Sequence, residues 1–187
     1  MSPAPRSAPP GSPDRPPAFV RSAAPRDLPA VSALLTRTWH DTYDKLYGSA
    51  KVGEITSSWH SVEALQRQLD APRSEFLVAD DGAEIVGMAF ARMTDRETAH
   101  LFQLYVDPIA QGTGLGRDVL AELVTCFPEA KRMELEVASG NARAIGFYGH
   151  HGFAERERGT ENGIETVVLE RPLEPYSLDP ASLDPNA

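Results

Sequence analysis

The pattern of apolar and polar positions predicts that strands and helices alternate along the chain. Short apolar runs favour strands at AFVRSA, EFLVAD, EIVGMAFARM, AHLFQLYV and RMELEV. Residues 80–82, Asp-Asp-Gly, are typical of a hairpin turn between the second and third of these runs. The final segment, RERGTENGIETVVLERPL, predicts a second hairpin around Asn162-Gly163.

Four amphipathic segments predict helices between these strands. The first begins near Pro25, the second after the N-cap residue Ser61, the third ends before Pro128, and the fourth spans about Ala142 to His150. We expect the following residues of the first three helices to face inward: Leu28, Val31, Leu34 and Leu35; Val62, Leu65 and Leu69; and Leu115, Val119, Leu120, Leu123 and Val124.

The resulting order, β-α-α-β-β-β-α-β-α-β-β, predicts an α/β sandwich with a mixed sheet. After the fourth helix we expect Gly152 to form a left-handed cap and Phe153 to pack beyond it. The ends of the chain differ in composition: residues 1–17 contain seven prolines, and SLDP occurs twice near the C-terminus. We therefore predict one globular domain over residues 18–174, with disordered tails at residues 1–17 and 175–187.

Charge and composition exclude several classes of protein. A net charge of −9 argues against a nucleic-acid partner. It is compatible with a cationic substrate, and the solubility of an acidic surface explains it equally well. There is no apolar run of 18 residues and no signal-peptide core, so we expect no membrane span and a cytoplasmic location. The single cysteine, Cys126, excludes an intrachain disulfide and a cysteine-based metal site. We expect it to be a buried, inert thiol on the third helix, and we predict no metal.

A glycine loop between a predicted strand and a predicted helix is the strongest chemical signal. Gly112, Gly114 and Gly116 alternate before the helix. Glycines let the backbone approach a ligand closely, and the helix start adds free N–H groups and a positive dipole end. This predicts a phosphate or pyrophosphate site, the alternative being a tight strand-to-helix turn. Arg117 follows Gly116, where a P-loop needs lysine and a Rossmann motif needs a third glycine.

The loop sequence has the form Gln-x-x-Gly-x-Gly and follows LYVDP. It resembles the acetyl-CoA signature of the GNAT superfamily of N-acetyltransferases. ELEVASGNARAIGFYGHHGF resembles the second signature of that superfamily, and VRSAAPRDLPAVSALL resembles its first strand and helix. The resemblance implies a mixed, mostly antiparallel central sheet flanked by helices and splayed at the acetyl-CoA site. It also implies transfer of an acetyl group to a primary amine of a small molecule or peptide, by direct attack in a ternary complex.

The resemblance further implies how acetyl-CoA, the co-substrate, is bound. Backbone groups of Leu104, Tyr105 and Val106 would bind the pantetheine amides and polarise the thioester carbonyl. The side chain of Asn141 would contact the cofactor near its pantetheine arm. The pyrophosphate would be held by the amides of Gln111, Gly112, Thr113, Gly114, Leu115, Gly116 and Arg117.

Catalytic roles also come from the resemblance. Tyr148, seven residues after Asn141, would be the general acid that protonates the departing thiolate; the alternative is a core aromatic residue. The family often carries an acidic base on the strand before the glycine loop, and that carboxylate is missing here. His100 could serve as the base, or Glu136 through a water molecule, and each could instead be an ordinary surface residue.

An acceptor pocket is implied between the first two helices and the last hairpin. Residues 38–48, TWHDTYDKLYG, are similar to a segment of bacterial polyamine N-acetyltransferases. We expect Trp39, Tyr43 and Asp44, with His40 and Asp41, to line a site where aromatic faces and carboxylates favour a cation. The alternative is a helix end packed on the core.

The sequence is also compatible with two other functional classes and with a homodimer. A non-catalytic module that binds acetyl-CoA would keep the glycine loop, although Tyr148 favours an enzyme. A phosphotransferase or dinucleotide enzyme lacks the lysine or third glycine it needs. A homodimer is compatible with the resemblance.

Overall fold

The computed structural model describes residues 17–161 and 164–173, and within these ranges it contains seven strands and five α-helices. The strands are β1 (Phe19–Ser22), β2 (Ser74–Asp80), β3 (Ile85–Met93), β4 (Thr98–Val106), β5 (Arg132–Ala138), β6 (Ala154–Glu161) and β7 (Ile164–Pro172). The α-helices are α1 (Leu28–Tyr47), α2 (Ser49–Trp59), α3 (Val62–Leu69), α4 (Leu115–Thr125) and α5 (Ala142–His150). The predicted tails, apart from residue 17, and the Asn162-Gly163 turn lie outside the described residues.

The chain divides into two compact units, and β4 contributes residues to both. The first unit holds residues 1–92 and 101–123, of which 17–92 and 101–123 are described. Its strands follow the order β1-β2-β3-β4, with β1 and β2 antiparallel and β2 and β3 antiparallel. Gly82, with φ of +88°, forms the turn between β2 and β3, as the Asp-Asp-Gly sequence predicts.

A core of aliphatic and aromatic side chains lies between the first helices and this sheet. It forms because α1 and α3 each present an apolar stripe to the apolar face of β2 and β3. Its buried members are Leu28, Val31, Leu34, Leu35, Leu65, Phe76, Val78, Ile85, Met88 and Phe90. The four predicted inward residues of the first helix are all completely buried.

The second unit holds residues 93–100 and 124–187, described here at 93–100, 124–161 and 164–173. The first three residues of β4 pair in parallel with Arg132–Glu134 of β5. The other neighbour of β5 is β7, which pairs antiparallel with both β5 and β6. The parallel ladder ends at His100 and Glu134, whereas β5 continues to Ala138.

The end of α5 follows the predicted geometry. Gly152 has φ of +84°, and Phe153 behind it is buried. The Phe153 N–H donates to the Tyr148 carbonyl and the Gly152 N–H donates to the Gly149 carbonyl, which is the two-bond pattern of a Schellman cap.

The predicted α/β class with a mixed, mostly antiparallel sheet flanked by helices is confirmed. Among the described residues, no helix has the length and apolarity needed to cross a lipid bilayer.

Between residues 36 and 60 the structure contains more helix than the sequence pattern predicts. Residues 38–47 were expected after the first helix but are its last three turns, because no glycine or proline interrupts the chain between Ala30 and Gly48. Gly48, with φ of +80°, ends α1. The helix α2 was not predicted at all, because its apolar residues are sparse: Val52 and Thr56 are the buried positions of α2.

Two burial predictions were wrong. Val62 is the first residue of α3 after its N-cap and is 39% exposed, since the start of this helix lies at the surface. Cys126 lies one residue beyond α4 and is only half-buried, because the helix ends at Thr125. The next residue, Phe127, takes the buried position.

Candidate functional site

The glycine loop of the first unit presents backbone N–H groups at the start of α4. Gly112 and Gly114 have φ of +79° and +93°, backbone conformations that other residues rarely adopt. The hydroxyl of Thr113 donates to the Ala110 carbonyl at 2.7 Å, and the Gln111 side-chain amide donates to the Val106 carbonyl at 3.0 Å. These bonds fix the loop through its own side chains.

The first turn of α4 has the properties of an anion site. Asp118 N–H donates to the Gly114 carbonyl, so the N–H groups before it lie ahead of the first helical bond. Those N–H groups and the helix dipole favour a negatively charged ligand. The exposed Arg117 guanidinium is bound to the neighbouring Asp118 carboxylate at 2.8 Å. Because the Arg117 side chain is already paired, the groups of this loop suited to bind an anion are its backbone N–H groups.

A buried carboxylate anchors the chain just before this loop. Asp107 follows β4 and is 3% exposed. Its carboxylate accepts hydrogen bonds from the Arg37 guanidinium at 2.8 Å and from the Ile109 N–H at 3.1 Å. Its own N–H donates to the Val86 carbonyl of β3. Sequence reasoning did not single out Arg37 or Asp107; the Asp-Pro pair at the end of β4 was the available signal.

The first unit also contains a pocket of about 670 Å³ on the side of its first three helices. Of the residues predicted to bind the acceptor, Trp39 lines this pocket. The Tyr43 ring packs against the Trp39 ring, with centroids 4.8 Å apart. Asp44 binds His40 at 2.7 Å and is not among the lining residues. The described residues that line it are Trp39, Ser58, Trp59, His60, Ala64, Arg67, Gln68, Ala71, Phe90, Arg92, Phe102, Gln103 and Tyr105.

Aromatic contacts and burial set the chemistry of this pocket. The indole N–H of Trp39 donates to the Tyr105 hydroxyl at 3.3 Å. Burial raises the pKa of the Tyr105 phenol to about 12, so this group stays protonated at neutral pH. Burial lowers the pKa of His60 to about 4, and its ring lies 5.2 Å from that of Trp39. His60 is therefore a neutral wall of the pocket above pH 5.

Sequence reasoning missed most of this lining. Trp59 and His60 lie at the end of the unpredicted α2. Arg67 and Gln68 lie on α3, and Arg92 lies on β3. No local motif connects these positions, which are brought together by the packing of the first unit.

In the second unit, α5 carries Tyr148 and follows Asn141. The Asn141 side chain accepts a hydrogen bond from the Ala144 N–H at 3.1 Å and so caps this helix. Tyr148 is 8% exposed, and its ring packs edge-on against Phe153 with centroids 5.4 Å apart. Both side chains therefore have a structural role beside the role implied by the family resemblance.

The two candidate bases both lie in the second unit. His100 Nδ1 is 3.3 Å from a carboxylate oxygen of Glu134 on β5. The Glu136 carboxylate accepts a hydrogen bond from the Thr166 hydroxyl on β7. Each group thus contacts a neighbouring side chain and is accessible to solvent.

Comparison with known proteins gives the family. A family model described as an acetyltransferase (GNAT) domain matches residues 43–171, more than half of the 187-residue chain. The chain is 36% identical over 85 residues to mycothiol acetyltransferase of Beutenbergia cavernae, covering 44% of this chain and 29% of that protein. It is 32% identical over 93 residues to N-alpha-acetyltransferase RimI of Mycobacterium tuberculosis, covering 48% and 58%. The chain thus spans less than two thirds of either curated relative.

The fold agrees with this assignment. A crystal structure of PaiA N-acetyltransferase from Thermoplasma acidophilum, in complex with coenzyme A, superposes with a TM-score of 0.72. The superposition covers 83% of this chain and 99% of that one, at 20% sequence identity. The resemblance inferred from the glycine loop and the NARAIGFYGHHGF segment is confirmed by the family match. The chain belongs to the GNAT family of acetyltransferases.

Proposed function

We propose that this protein is an N-acetyltransferase that moves the acetyl group of acetyl-CoA to a primary amine. The observation that carries the proposal is the glycine loop of Gln111–Arg117, whose left-handed glycines and helix start suit a pyrophosphate, in a chain of the GNAT family. The coenzyme A complex of the Thermoplasma relative supports the choice of cofactor.

In this proposal the backbone of Leu104, Tyr105 and Val106 binds the pantetheine arm and polarises the thioester carbonyl. The end of β4 is suited to this because its parallel pairing to β5 stops at His100. Asn141, besides capping α5, contacts the cofactor near the pantetheine.

The chemistry is a direct attack. The neutral acceptor amine attacks the thioester carbonyl, the carbon–sulfur bond breaks, and the Tyr148 hydroxyl gives a proton to the departing thiolate. The amine loses its proton to a base, with His100 and Glu136 as the two candidates. His100 is supported by its contact with Glu134, whose carboxylate lies 3.3 Å from Nδ1 and would orient the imidazole ring.

The pocket of about 670 Å³ is the proposed acceptor site. It lies beside Tyr105, one of the residues proposed to hold the thioester, and its volume is that of a typical small-molecule site. Trp39 of the predicted acceptor segment is part of it, and Tyr43 supports Trp39. The domain bounds 18–174, a cytoplasmic location and a homodimer stay predictions.

The test is release of the coenzyme A thiol from acetyl-CoA in the presence of panels of amines, amino acids, antibiotics and peptides. We expect turnover with at least one class of amine and acetyl-CoA binding in calorimetry without any acceptor. Tight binding of acetyl-CoA with no turnover on any panel would favour the non-catalytic binding module. Failure to bind acetyl-CoA would contradict both functions.

A further inference from the structure

The pocket of the first unit is positively charged, although the chain as a whole carries a net charge of −9. Arg67 of α3 and Arg92 of β3 both line it, and none of the described residues that line it is an aspartate or a glutamate. His60 adds no charge at neutral pH. The pocket therefore attracts anions and disfavours polycations.

Both arginine side chains are exposed to solvent. Neither guanidinium has an ion-pair or hydrogen-bond partner among the described residues. Arg92 lies over the ring of Phe102, with Cζ 5.6 Å from the ring centroid. This cation–π contact holds the guanidinium without using its N–H donors. Elsewhere in the same unit, Arg21 and Arg37 are each bound to a carboxylate. Two guanidiniums with free donors in one pocket are suited to bind a carboxylate or another planar anion.

Three buried polar atoms in the same pocket also have no hydrogen-bond partner within the part of the chain that the structure describes. They are His60 Nδ1, Gln68 Oε1 and Gln103 Oε1, and His60 is only 2% exposed. A buried polar atom without a hydrogen bond is costly, so such atoms often mark positions that a ligand or a water molecule satisfies. The two amide oxygens can accept hydrogen bonds from an amine or amide N–H. The pocket thus offers acceptors for N–H groups as well as donors for an anion.

We propose that this pocket selects a small amine that also bears a carboxylate, with Arg67 and Arg92 binding the carboxylate. The proposal rests on the proposed acetyl transfer for the role of the amine. The indole and phenyl rings of Trp39, Trp59 and Phe90 form apolar walls for the rest of the molecule. An amino acid with an apolar or aromatic side chain fits this combination of groups. A polyamine, which the similarity of residues 38–48 suggested, does not.

The first experiment measures binding alone. The chain has two tryptophans, Trp39 and Trp59, and both line the pocket, so intrinsic tryptophan fluorescence reports its occupancy directly. The full-length protein is titrated with 3-phenylpropionate and with the uncharged 3-phenylpropanamide, which differ only in the carboxylate. We expect the carboxylate to bind at least about tenfold more tightly, the range expected for charge-assisted hydrogen bonds.

Variants then assign the preference to residues. Arg67→Gln and Arg92→Gln should each reduce the preference for the carboxylate over the amide roughly tenfold, because the affinity for the acid falls more than the affinity for the amide. Arg26→Gln is the matched control, because Arg26 is an exposed arginine of the same unit and does not line the pocket. Equal affinity for acid and amide, tighter binding of spermidine, or no saturable fluorescence change with the acid would each overturn the proposal.

The second experiment measures acetylation of L-phenylalanine and L-phenylalaninamide. In the two pocket variants kcat/KM should fall roughly tenfold further for the acid than for the amide. Comparing each variant with wild type cancels the different amine pKa values of the two substrates. An equal fall for both substrates would overturn the proposed role of the arginines. Because the fluorescence titration needs no turnover, a carboxylate preference without acetylation of any amine would contradict the proposed function and leave the anion site standing.

Discussion

The guanidinium of Arg37 on α1 binds the buried carboxylate of Asp107, the residue that follows β4, with Nη2 and Oδ2 2.8 Å apart. Asp107 also caps the short 3₁₀ turn of Pro108–Ala110, which leads into the glycine loop. The proposed cofactor loop is therefore tied to the first helix through a single carboxylate.

We expect Arg37→Gln to lower the free energy of unfolding by about 1–3 kcal/mol, because among residues 17–161 and 164–173 it leaves the buried Asp107 carboxylate with the Ile109 N–H as its remaining hydrogen-bond donor. Urea denaturation measures the change. The exposed Arg26→Gln variant serves as control and should change stability by less than about 0.5 kcal/mol. Equal stability of the two variants would show that the ion pair has no net effect.

The second prediction concerns backbone conformation at Gly114. Its φ of +93° is disfavoured for valine, and a Cβ there would lie 3.2 Å from the flexible end of Arg117. Gly114→Val should destabilise the fold by at least about 1–2 kcal/mol and weaken acetyl-CoA binding by more than about tenfold in calorimetry.

Gly82→Val is the matched control for this effect. Gly82 has a similar φ of +88°, lies in the β2–β3 turn, and has open space where a Cβ would be. It should lose a similar amount of stability and bind acetyl-CoA as wild type does. If both variants bind acetyl-CoA normally at a temperature where they are folded, the cofactor site lies elsewhere.

The third prediction concerns pH. The pKa of His60 is lowered to about 4 by burial, whereas a histidine in the unfolded chain titrates near pH 6.5. Between these values the unfolded state binds more protons, so the free energy of unfolding falls as the pH is lowered, by at most about 1.4 kcal/mol per pH unit from this group. The stabilising effect of neutral His60 is fully present above pH 6.5 and is lost as the pH approaches 4.

His60→Phe keeps a ring beside Trp39 and removes the titration. Urea denaturation at pH 7.0, 5.5 and 4.5 should show a shallower loss of stability for this variant than for wild type. The slope with pH is the readout, so a constant offset from the larger ring does not affect the comparison. Parallel slopes would show that His60 takes up its proton in the folded protein.

The fourth prediction tests the proposed general acid. Tyr148→Phe removes one hydroxyl and keeps the ring that packs on Phe153. Acetyl-CoA binding should persist, and the single-turnover rate with a competent amine should fall roughly 10²-fold, in the usual range for general acid catalysis. Single-turnover kinetics are needed because slow product release would hide the effect in kcat. An unchanged rate would leave Tyr148 as a packed core aromatic residue.

Local sequence determined the parts of this protein that depend on backbone conformation. The left-handed glycines at Gly112 and Gly114 and the Schellman cap at Gly152 follow from positive φ angles that glycine adopts most easily. The hairpin turn at Gly82 and the apolar stripe of α1 follow in the same way from short-range patterns. The order of such signals along the chain predicted the fold class, and the resemblance of the glycine loop and of the NARAIGFYGHHGF segment predicted the family.

The length of α1 and the presence of α2 were decided by tertiary structure. Residues 38–47 remain helical in part because Trp39 packs against Tyr105, His60 and Trp59, which are distant in sequence. The helix α2 buries few residues of its own, so its periodicity is weak. Helices of this kind are stabilised by packing, which a single sequence does not display.

The charge of the proposed acceptor pocket likewise depends on the fold alone. Residues 38–48 suggested a cation site because acids and aromatic residues are adjacent in sequence, yet Asp44 binds His40 instead of lining the pocket. Arg67 and Arg92 are 25 positions apart, and neither belongs to a recognisable motif. Adjacency along a chain fixes local backbone geometry, whereas the electrostatics of a pocket depend on which distant side chains the packing brings to its walls.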